Sequence, residues 1–266
     1  MDRVEEFEEW MEERELSKST IRTYLYAVRE FGEKYGELSK KNLIDYKKYL
    51  IENRKPKTAG IRCIAVNQYC IFMGRQELCV KAIRIQKATS MENVISREQY
   101  ENLLSALKDD GRMRWYYIIL FLGRTGARVS ELIQFKKSDL ERGYCEIWTK
   151  GKIRRIRFPQ SLVNESAGYF QTVEGDWLFT NRYGDPITRE GVRTVMQTMA
   201  ELYGIDRKVM HPHSLRHMFA IEFLKNNKNI ALLADLMGHE NVDTTAVYLK
   251  LSEKEQAEQL NRAVDW

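Results

Sequence analysis

The first third of the chain carries apolar residues at every third or fourth position, the period of helices that bury one face. Four such segments follow one another with no strand signal between them: residues 3–16, a segment from Ser17 through Phe31, one from Leu38 to Leu50, and one from Thr58 to Met73. They predict a small all-helical domain over residues 1–85. The next residues lack periodicity, so we expect a linker over residues 86–95.

The pattern becomes more varied over residues 96–266, which we expect to form a second domain. Ser96 and Gln99 have the spacing of a capping box that opens a helix. Residues 112–123 are apolar nearly all round, as in a buried helix. A further helix is predicted after Pro186, and Gly204 is its stop signal.

Two short segments of this second domain alternate between apolar and polar residues, as strands do. They are residues 144–149 and 152–158, and they flank the turn residues Lys150-Gly151. This pattern predicts a β-hairpin with Lys150 at or just before its tip. The predicted fold class is therefore mainly α with a small β-sheet (α+β).

Composition excludes several classes of protein. The chain has 266 residues, of which 43% are hydrophobic, enough for two modest domains or one large one. The longest apolar run covers residues 115–122 and is too short to span a bilayer. The acidic N-terminus argues against a signal peptide. The four cysteines show no metal or disulfide spacing, so we expect reduced thiols and a cytoplasmic location.

The positive charge is concentrated in one part of the chain. Residues 1–15 carry eight acidic residues against two basic ones, but residues 16–90 carry sixteen Lys and Arg against six Asp and Glu. Residues 91–266 are nearly balanced. A basic N-terminal domain indicates binding to a polyanion, although a solvated basic surface would give the same pattern.

The residues with chemical potential lie near the C-terminus. All four histidines fall there, together with an arginine and a tyrosine at short spacings: His211, His213, Arg216, His217, His239 and Tyr248. Pro212 suits the first turn of a helix, on which His213 and Arg216 share a face. A surface pair or a satisfied core pair is the simplest interpretation of that spacing. Zinc would suit His213 and His217, but no carboxylate or cysteine in this run completes a ligand set, so we expect no metal.

Taken in order along the chain, these residues resemble the tyrosine recombinases of the phage-integrase family. The family's Thr-Gly-x-Arg-x-Ser-Glu-Leu box is matched by residues 125–132, and its His-x-Leu-Arg-His box by residues 213–217. Its Leu-Gly-His box is matched by residues 237–239, with methionine in place of leucine. Tyr248 follows at the family's usual distance. The resemblance extends to the N-terminal helices, which are similar to the family's four-helix, SAM-like core-binding domain.

The resemblance implies a DNA strand-transferring enzyme that forms a covalent 3′-phosphotyrosine with Tyr248. Arg128 and Arg216 would hold the phosphate oxygens, because a guanidinium binds them bidentately. His213 would accept the phenol proton, His239 would bond a phosphate oxygen, and Glu131 would orient Arg128 or His213. No cofactor or metal is implied.

The general acid has two possible positions. Family hairpins commonly read Lys-Gly-x-Lys-x-Arg, whereas this one reads Lys150-Gly151-Lys152-Ile153-Arg154-Arg155. Lys150 is favoured, but a one-residue difference in the turn would give the role to Lys152. The neighbouring arginines are expected to line DNA or solvent: Arg154, Arg155 and Arg157.

The resemblance therefore predicts a site-specific DNA recombinase, with a type IB-like topoisomerase as the alternative. The partners are double-stranded DNA and further copies of the chain: a dimer on one site and a cyclic tetramer in the synapse. A tail helix over residues 252–266 would pack on a neighbour. In the core-binding domain, phosphate contacts are predicted at Lys18, Arg22, Lys57 and Arg62. The expected location is cytoplasmic and nucleoid-associated, with no membrane.

Overall fold

The computed structural model describes residues 3–83, 93–149, 152–238, 244–245, 247–249, 261 and 264. Contacts divide the chain into two compact units, Met1–Lys87 and Ala88–Trp266. Within the described ranges the regular secondary structure is helical, apart from isolated bridges and one two-stranded antiparallel sheet. The predicted fold class is confirmed. No helix in the described ranges is long and apolar enough to cross a membrane.

The first unit contains four helices: α1 (Val4–Glu13), α2 (Lys18–Tyr35), α3 (Lys40–Asn53) and α4 (Pro56–Phe72), followed by a 3₁₀ turn at Gln76–Leu78. The side chains of Ser17 and Ser39 cap α2 and α3 by accepting bonds from Thr20 N and Asn42 N. Helix α4 begins two residues earlier than predicted, because Pro56 occupies its first turn. Two apolar clusters, one around Phe7 and one around Phe31, form the core.

A buried ionic network joins three helices of this first unit. Glu30 on α2 accepts bonds from the hydroxyl of Tyr46 at 2.7 Å and from Arg54 at 2.9 Å, and both of its carboxylate oxygens accept from Arg62 at 2.5 and 2.6 Å. Burial alone would raise the pKa of Glu30, but these bonds bring it below its usual value. The network therefore holds Glu30 as a charged carboxylate inside the bundle.

The second unit begins with α5 (Arg97–Asp109) and α6 (Met113–Thr125). Both bonds of the predicted capping box form, since Ser96 accepts from Gln99 N and Gln99 accepts from Ser96 N. Helix α6 is buried from Tyr116 to Gly123 and lies at the centre of the core, in contact with α5 and with the later helix α11.

Two short helices and a hairpin follow: α7 (Val129–Leu132), α8 (Lys137–Arg142), β1 (Tyr144–Thr149) and β2 (Lys152–Arg157). The strands pair with Thr149 opposite Lys152 and Ile147 opposite Arg154, so the predicted hairpin is confirmed. The described residues that follow include four helices and a 3₁₀ turn: α9 (Gln160–Thr172), α10 (Arg189–Leu202), α11 (Pro212–Asn226), α12 (Ile230–Met237) and the turn Val247–Leu249. Helices α8 and α9 were absent from the sequence prediction.

Candidate active site

Arg128 enters the site through a tight turn at the end of α6. Gly126 ends this helix in the left-handed region at φ 62°, and a Cβ there would overlap the ring of Phe219. The turn places Arg128 at the start of α7, where its backbone N–H donates to Glu131 Oε2 at 2.6 Å. Its guanidinium donates to Glu131 Oε1 at 2.8 Å and to the carbonyl of Gly238 at 3.3 Å. Its side chain remains 36% exposed and can therefore meet a ligand.

Glu131 binds a second arginine, which comes from the hairpin. Nη1 of Arg154 donates to Glu131 Oε1, and Nη2 donates to the carbonyl of Leu236 at 2.9 Å. Burial would raise the pKa of Glu131, but Arg154 and Arg128 bring it below its usual value. The prediction that Arg154 lines DNA or solvent is wrong, because its side chain is only 9% exposed. Arg155 and Arg157, on the opposite face of β2, are exposed.

Arg216 lies deeper than the other two arginines. Its Nη1 donates to the carbonyl of Gly126 at 2.6 Å and its Nη2 to that of Met237 at 2.5 Å. Burial, and then repulsion by Arg128 and Arg154, lower the pKa of Arg216 to about 9. The guanidinium is still protonated at neutral pH, so three positive charges meet around one buried carboxylate.

The N-terminus of α11 is fixed by its own residues. The Nδ1 atom of His211 accepts a bond from Ser214 N at 3.0 Å, and Pro212 occupies the first turn. Ser214 Oγ in turn accepts from Ile95 N at 2.7 Å, which ties this helix start to the entry of α5. His213 is exposed at this end, as expected for a residue that meets a substrate.

The phenol of Tyr248 reaches α11 at His217. Its hydroxyl lies 2.8 Å from His217 Nδ1, and the ring packs with the apolar cluster of Phe219 and Phe223. Burial raises the pKa of Tyr248, although the charges of Arg216 and Arg128 act in the opposite direction. Arg216 directly precedes His217 on α11, so the phenol contacts the helix that carries this arginine. The sequence predictions gave His217 no role, although its position one residue after Arg216 and four after His213 was a signal for it.

The profile described as the phage integrase family matches residues 93–255, more than half of the chain. The chain belongs to the phage integrase family. A relative, the tyrosine recombinase XerA of Thermococcus kodakarensis, is 29% identical, over 94% of this chain and 90% of the relative. The chain also resembles the XerH site-specific recombinase bound to difH substrate, with a TM-score of 0.71 and 19% identity. This match covers 91% of this chain and 78% of the XerH chain. A lambda integrase dimer bound to a COC′ core site gives a TM-score of 0.73 and 16% identity. This match covers 92% of this chain and 75% of the integrase chain. At these identities the two structures bear on the fold alone.

Two of the residues that this family resemblance implied lie outside the described residues: Lys150 and His239. Strand β1 ends at Thr149, and Lys152 is the first residue of β2. The choice between Lys150 and Lys152 as general acid stays a prediction. The tail helix over residues 252–266 also falls almost wholly outside the described residues.

A basic groove lies beside His213 in this integrase-family domain, and the sequence predictions did not include it. It is lined by the first turns of α10, by the segment that precedes α11 and by Val129 at the start of α7. Its charged residues are mostly cationic: Arg189, Glu190, Arg193, Arg207 and Lys208. A run of cations next to a site with buried arginines suits a polyanionic ligand. In the described ranges, no cluster of three or more His, Cys, Asp or Glu has the geometry of a metal site.

The predicted phosphate contacts of the first unit differ in their surroundings. Lys18, Arg22 and Lys57 are exposed. Arg62 is not a free surface cation, because its side chain is 14% exposed and its guanidinium is bonded to Glu30. A DNA-binding role for these four residues stays a prediction, and Arg62 already has a structural role.

Proposed function

We propose that this member of the phage integrase family is a site-specific DNA recombinase, with Tyr248 as its nucleophile. The observation that carries the proposal is the 2.8 Å contact of the Tyr248 hydroxyl with His217 on α11, next to Arg216 on the same helix. A phosphodiester gains negative charge when it is attacked, and buried guanidinium groups stabilise that charge. The site thus combines a hydroxyl with the cations that its reaction with a phosphodiester needs.

In the proposed reaction, Tyr248 Oη attacks the phosphorus and forms the 3′-phosphotyrosine bond, while the bond from phosphorus to the 5′-oxygen breaks. Arg128 and Arg216 hold the non-bridging oxygens. The phenol proton passes to His213, and the 5′-oxygen takes a proton from Lys150, with Lys152 as the alternative. His239 donates to a phosphate oxygen. The free 5′-hydroxyl of a second strand reverses these steps and restores the DNA backbone.

Neither metal nor nucleotide has a step in this scheme. The arginines supply the positive charge, and the covalent intermediate keeps the energy of the broken phosphodiester. Glu131 holds Arg128 from behind and so acts as a positioning residue. We therefore expect covalent attachment to continue in excess chelator.

Duplex DNA is the partner that the two basic surfaces suit. The groove of Arg189, Arg193 and Lys208 would contact the backbone next to the cleaved phosphate, and the exposed Lys18, Arg22 and Lys57 would contact it from the core-binding unit. We propose a dimer on one site and a cyclic tetramer in the synapse, with the tail over residues 252–266 packed on the next protomer. A protein that acts in this way would be found at the nucleoid.

The alternative of a type IB-like topoisomerase is less well supported, because the relative from Thermococcus kodakarensis is named a recombinase. The two activities differ in their products. A recombinase exchanges strands between two paired sites, whereas a topoisomerase relaxes supercoils in a single DNA. The experiment must therefore score exchange and not cleavage alone.

Covalent capture tests the proposal. Wild-type protein and the Tyr248→Phe variant are incubated with genomic fragments, denatured, and recovered with any attached DNA. Wild type should mark a small set of sites, and Tyr248→Phe should bind the same fragments without attachment, since phosphate contacts dominate affinity. Two labelled copies of the recovered site should then recombine. An adduct formed by Tyr248→Phe, or relaxation without exchange, would overturn the proposal.

A further inference from the structure

We propose that His217 is a positioning residue for the nucleophile. Its imidazole accepts the hydrogen bond of the Tyr248 hydroxyl and so holds the phenol at the phosphate site before DNA is cleaved. The proposal rests on the function proposed above, but it concerns a residue that has no role in that scheme. It starts from one contact, the 2.8 Å separation of His217 Nδ1 and Tyr248 Oη.

Among the described residues, the ring of Tyr248 packs in an apolar cluster. The residue lies in a single 3₁₀ turn, Val247–Leu249, which packs on α11. The ring is packed with apolar side chains, which fill space without setting the direction of a hydroxyl: Phe219, Phe223, Leu224, Leu233 and Met237. His217 lies on the same helix as Arg216 and His213, and its ring centroid is 5.6 Å from that of Tyr248. One rigid helix thus sets both the phosphate-binding arginine and the hydroxyl that must approach it.

The protonation states favour His217 as the hydrogen-bond acceptor of Tyr248 and not as the base that removes its proton. Burial, then the charges of His213, His211 and Arg216, lower the pKa of His217 to about 4. Burial raises the pKa of Tyr248 above its ordinary value of 10. At neutral pH the imidazole is therefore neutral and the phenol keeps its proton. A proton transfer from Tyr248 to His217 is therefore unfavourable, which leaves the base role to another group.

Two substitutions separate the hydrogen bond from simple packing. His217→Asn keeps an acceptor oxygen near the position of Nδ1, whereas His217→Leu keeps the volume and removes the acceptor. The probe is the DNA site that wild-type protein marks covalently in the capture experiment. We expect His217→Leu to slow adduct formation at saturating DNA about 10–100-fold with unchanged DNA affinity, and His217→Asn to recover most of that loss. The proposal is overturned if Leu behaves as wild type, if Asn is as slow as Leu, or if the loss lies in affinity.

A second measurement needs no DNA and tests the contact itself. The protein has four histidines, so ¹⁵N-histidine labelling gives a small set of imidazole signals. The Nδ1 signal of His217 is identified as the one missing from the spectrum of His217→Asn. Tyr248→Phe should shift this signal, because the hydroxyl that donates to His217 Nδ1 is lost. An unchanged signal overturns the proposal even if Tyr248 is the nucleophile. If wild type marks no DNA at all, the proposed function fails, and this shift still decides whether His217 holds the phenol.

Discussion

Arg154 and Glu131 form a buried ion pair in which Nη1 of the arginine donates to Oε1 of the glutamate. The pair joins strand β2 to helix α7, and so connects the hairpin with the element that carries Arg128. Arg154 also bonds the carbonyl of Leu236 at the end of α12. A side chain without a place in the proposed chemistry therefore fixes three parts of the site.

Removal of this pair should destabilise the second unit. Arg154→Met leaves Arg128 as the one described cation that bonds Glu131 directly, and breaking a buried pair costs about 3–5 kcal/mol. Urea denaturation measures the loss. Arg155→Met is the matched control, because Arg155 lies on the same strand and pairs with Glu146 at the surface; it should change stability little. Equal losses in the two variants would contradict a special role for Arg154.

Gly238 should tolerate no side chain. Its φ of 59° disfavours other residues, and a Cβ would overlap the guanidinium of Arg154. Gly204 is the matched control. It has a φ of 65°, and a Cβ there would meet no atom within 4 Å, so Gly204→Ala loses only the free energy of placing alanine in a left-handed backbone conformation. We expect Gly204→Ala to cost about 1 kcal/mol and Gly238→Ala clearly more. Thermal unfolding compares them; an equal loss would mean that the Arg154 contact is unimportant.

Arg216→Lys should nearly abolish covalent attachment. A single ammonium group cannot reproduce the planar fork that bonds the carbonyls of Gly126 and Met237 and also face a phosphate. Loss of one donor to a developing oxyanion costs about 10²–10³ in rate. The rate of adduct formation at saturating DNA measures it, with the exposed Arg157→Lys as control. Near wild-type attachment by Arg216→Lys would remove this arginine from the proposed reaction.

Acid should weaken the first unit through Glu30. Its pKa is lowered in the folded state, so its contribution is present above the ordinary glutamate pKa of about 4.3 and is lost as pH falls through the lowered folded value. Glu30→Gln should cost about 3 kcal/mol at pH 7 and flatten the decline of stability below pH ~4.3. Hydrogen exchange of α2 and α4 measures this decline. The exposed Glu33→Gln should keep the wild-type profile; an unchanged profile in Glu30→Gln would contradict the prediction.

The general acid can be identified by the leaving group. A DNA in which sulfur replaces the bridging 5′-oxygen needs no proton donor, because a thiolate leaves more readily than an alkoxide. Lys150→Ala should slow attachment to ordinary DNA about 10²–10⁴-fold and approach wild type on the sulfur-containing DNA, whereas Lys152→Ala should change neither. The reverse pattern would assign the role to Lys152.

Much of the fold could be predicted from the sequence, because its signals are local. The capping box at Ser96, the glycine stop at Gly204 and the hairpin around residue 150 each depend on neighbouring residues. Helix α8 is too short to show a period, and α9 has a weak apolar stripe. These two helices therefore required the tertiary structure.

The site was predictable where motif spacing carries the information, as for Arg128 and Arg216. The burial of Arg154 depends on the strand register, in which Ile147 lies opposite Arg154, so that both side chains are on the same face of the hairpin. Among Arg154, Arg155 and Arg157, composition alone gives no reason to prefer one. The contact of His217 with Tyr248 joins residues 31 positions apart and depends on how the 3₁₀ turn packs.

Three arginines around Glu131 also couple folding to the buffer. Burial and then their mutual repulsion lower the pKa of Arg216, and any oxyanion that enters the site offsets this excess of positive charge. Such an ion binds the folded chain and not the unfolded one, so it stabilises the protein by RT ln(1 + [L]/Kd). A preparation in phosphate or sulfate will melt at a higher temperature than the same protein in chloride. Arginine variants compared in phosphate would therefore report lost anion affinity as though it were lost packing.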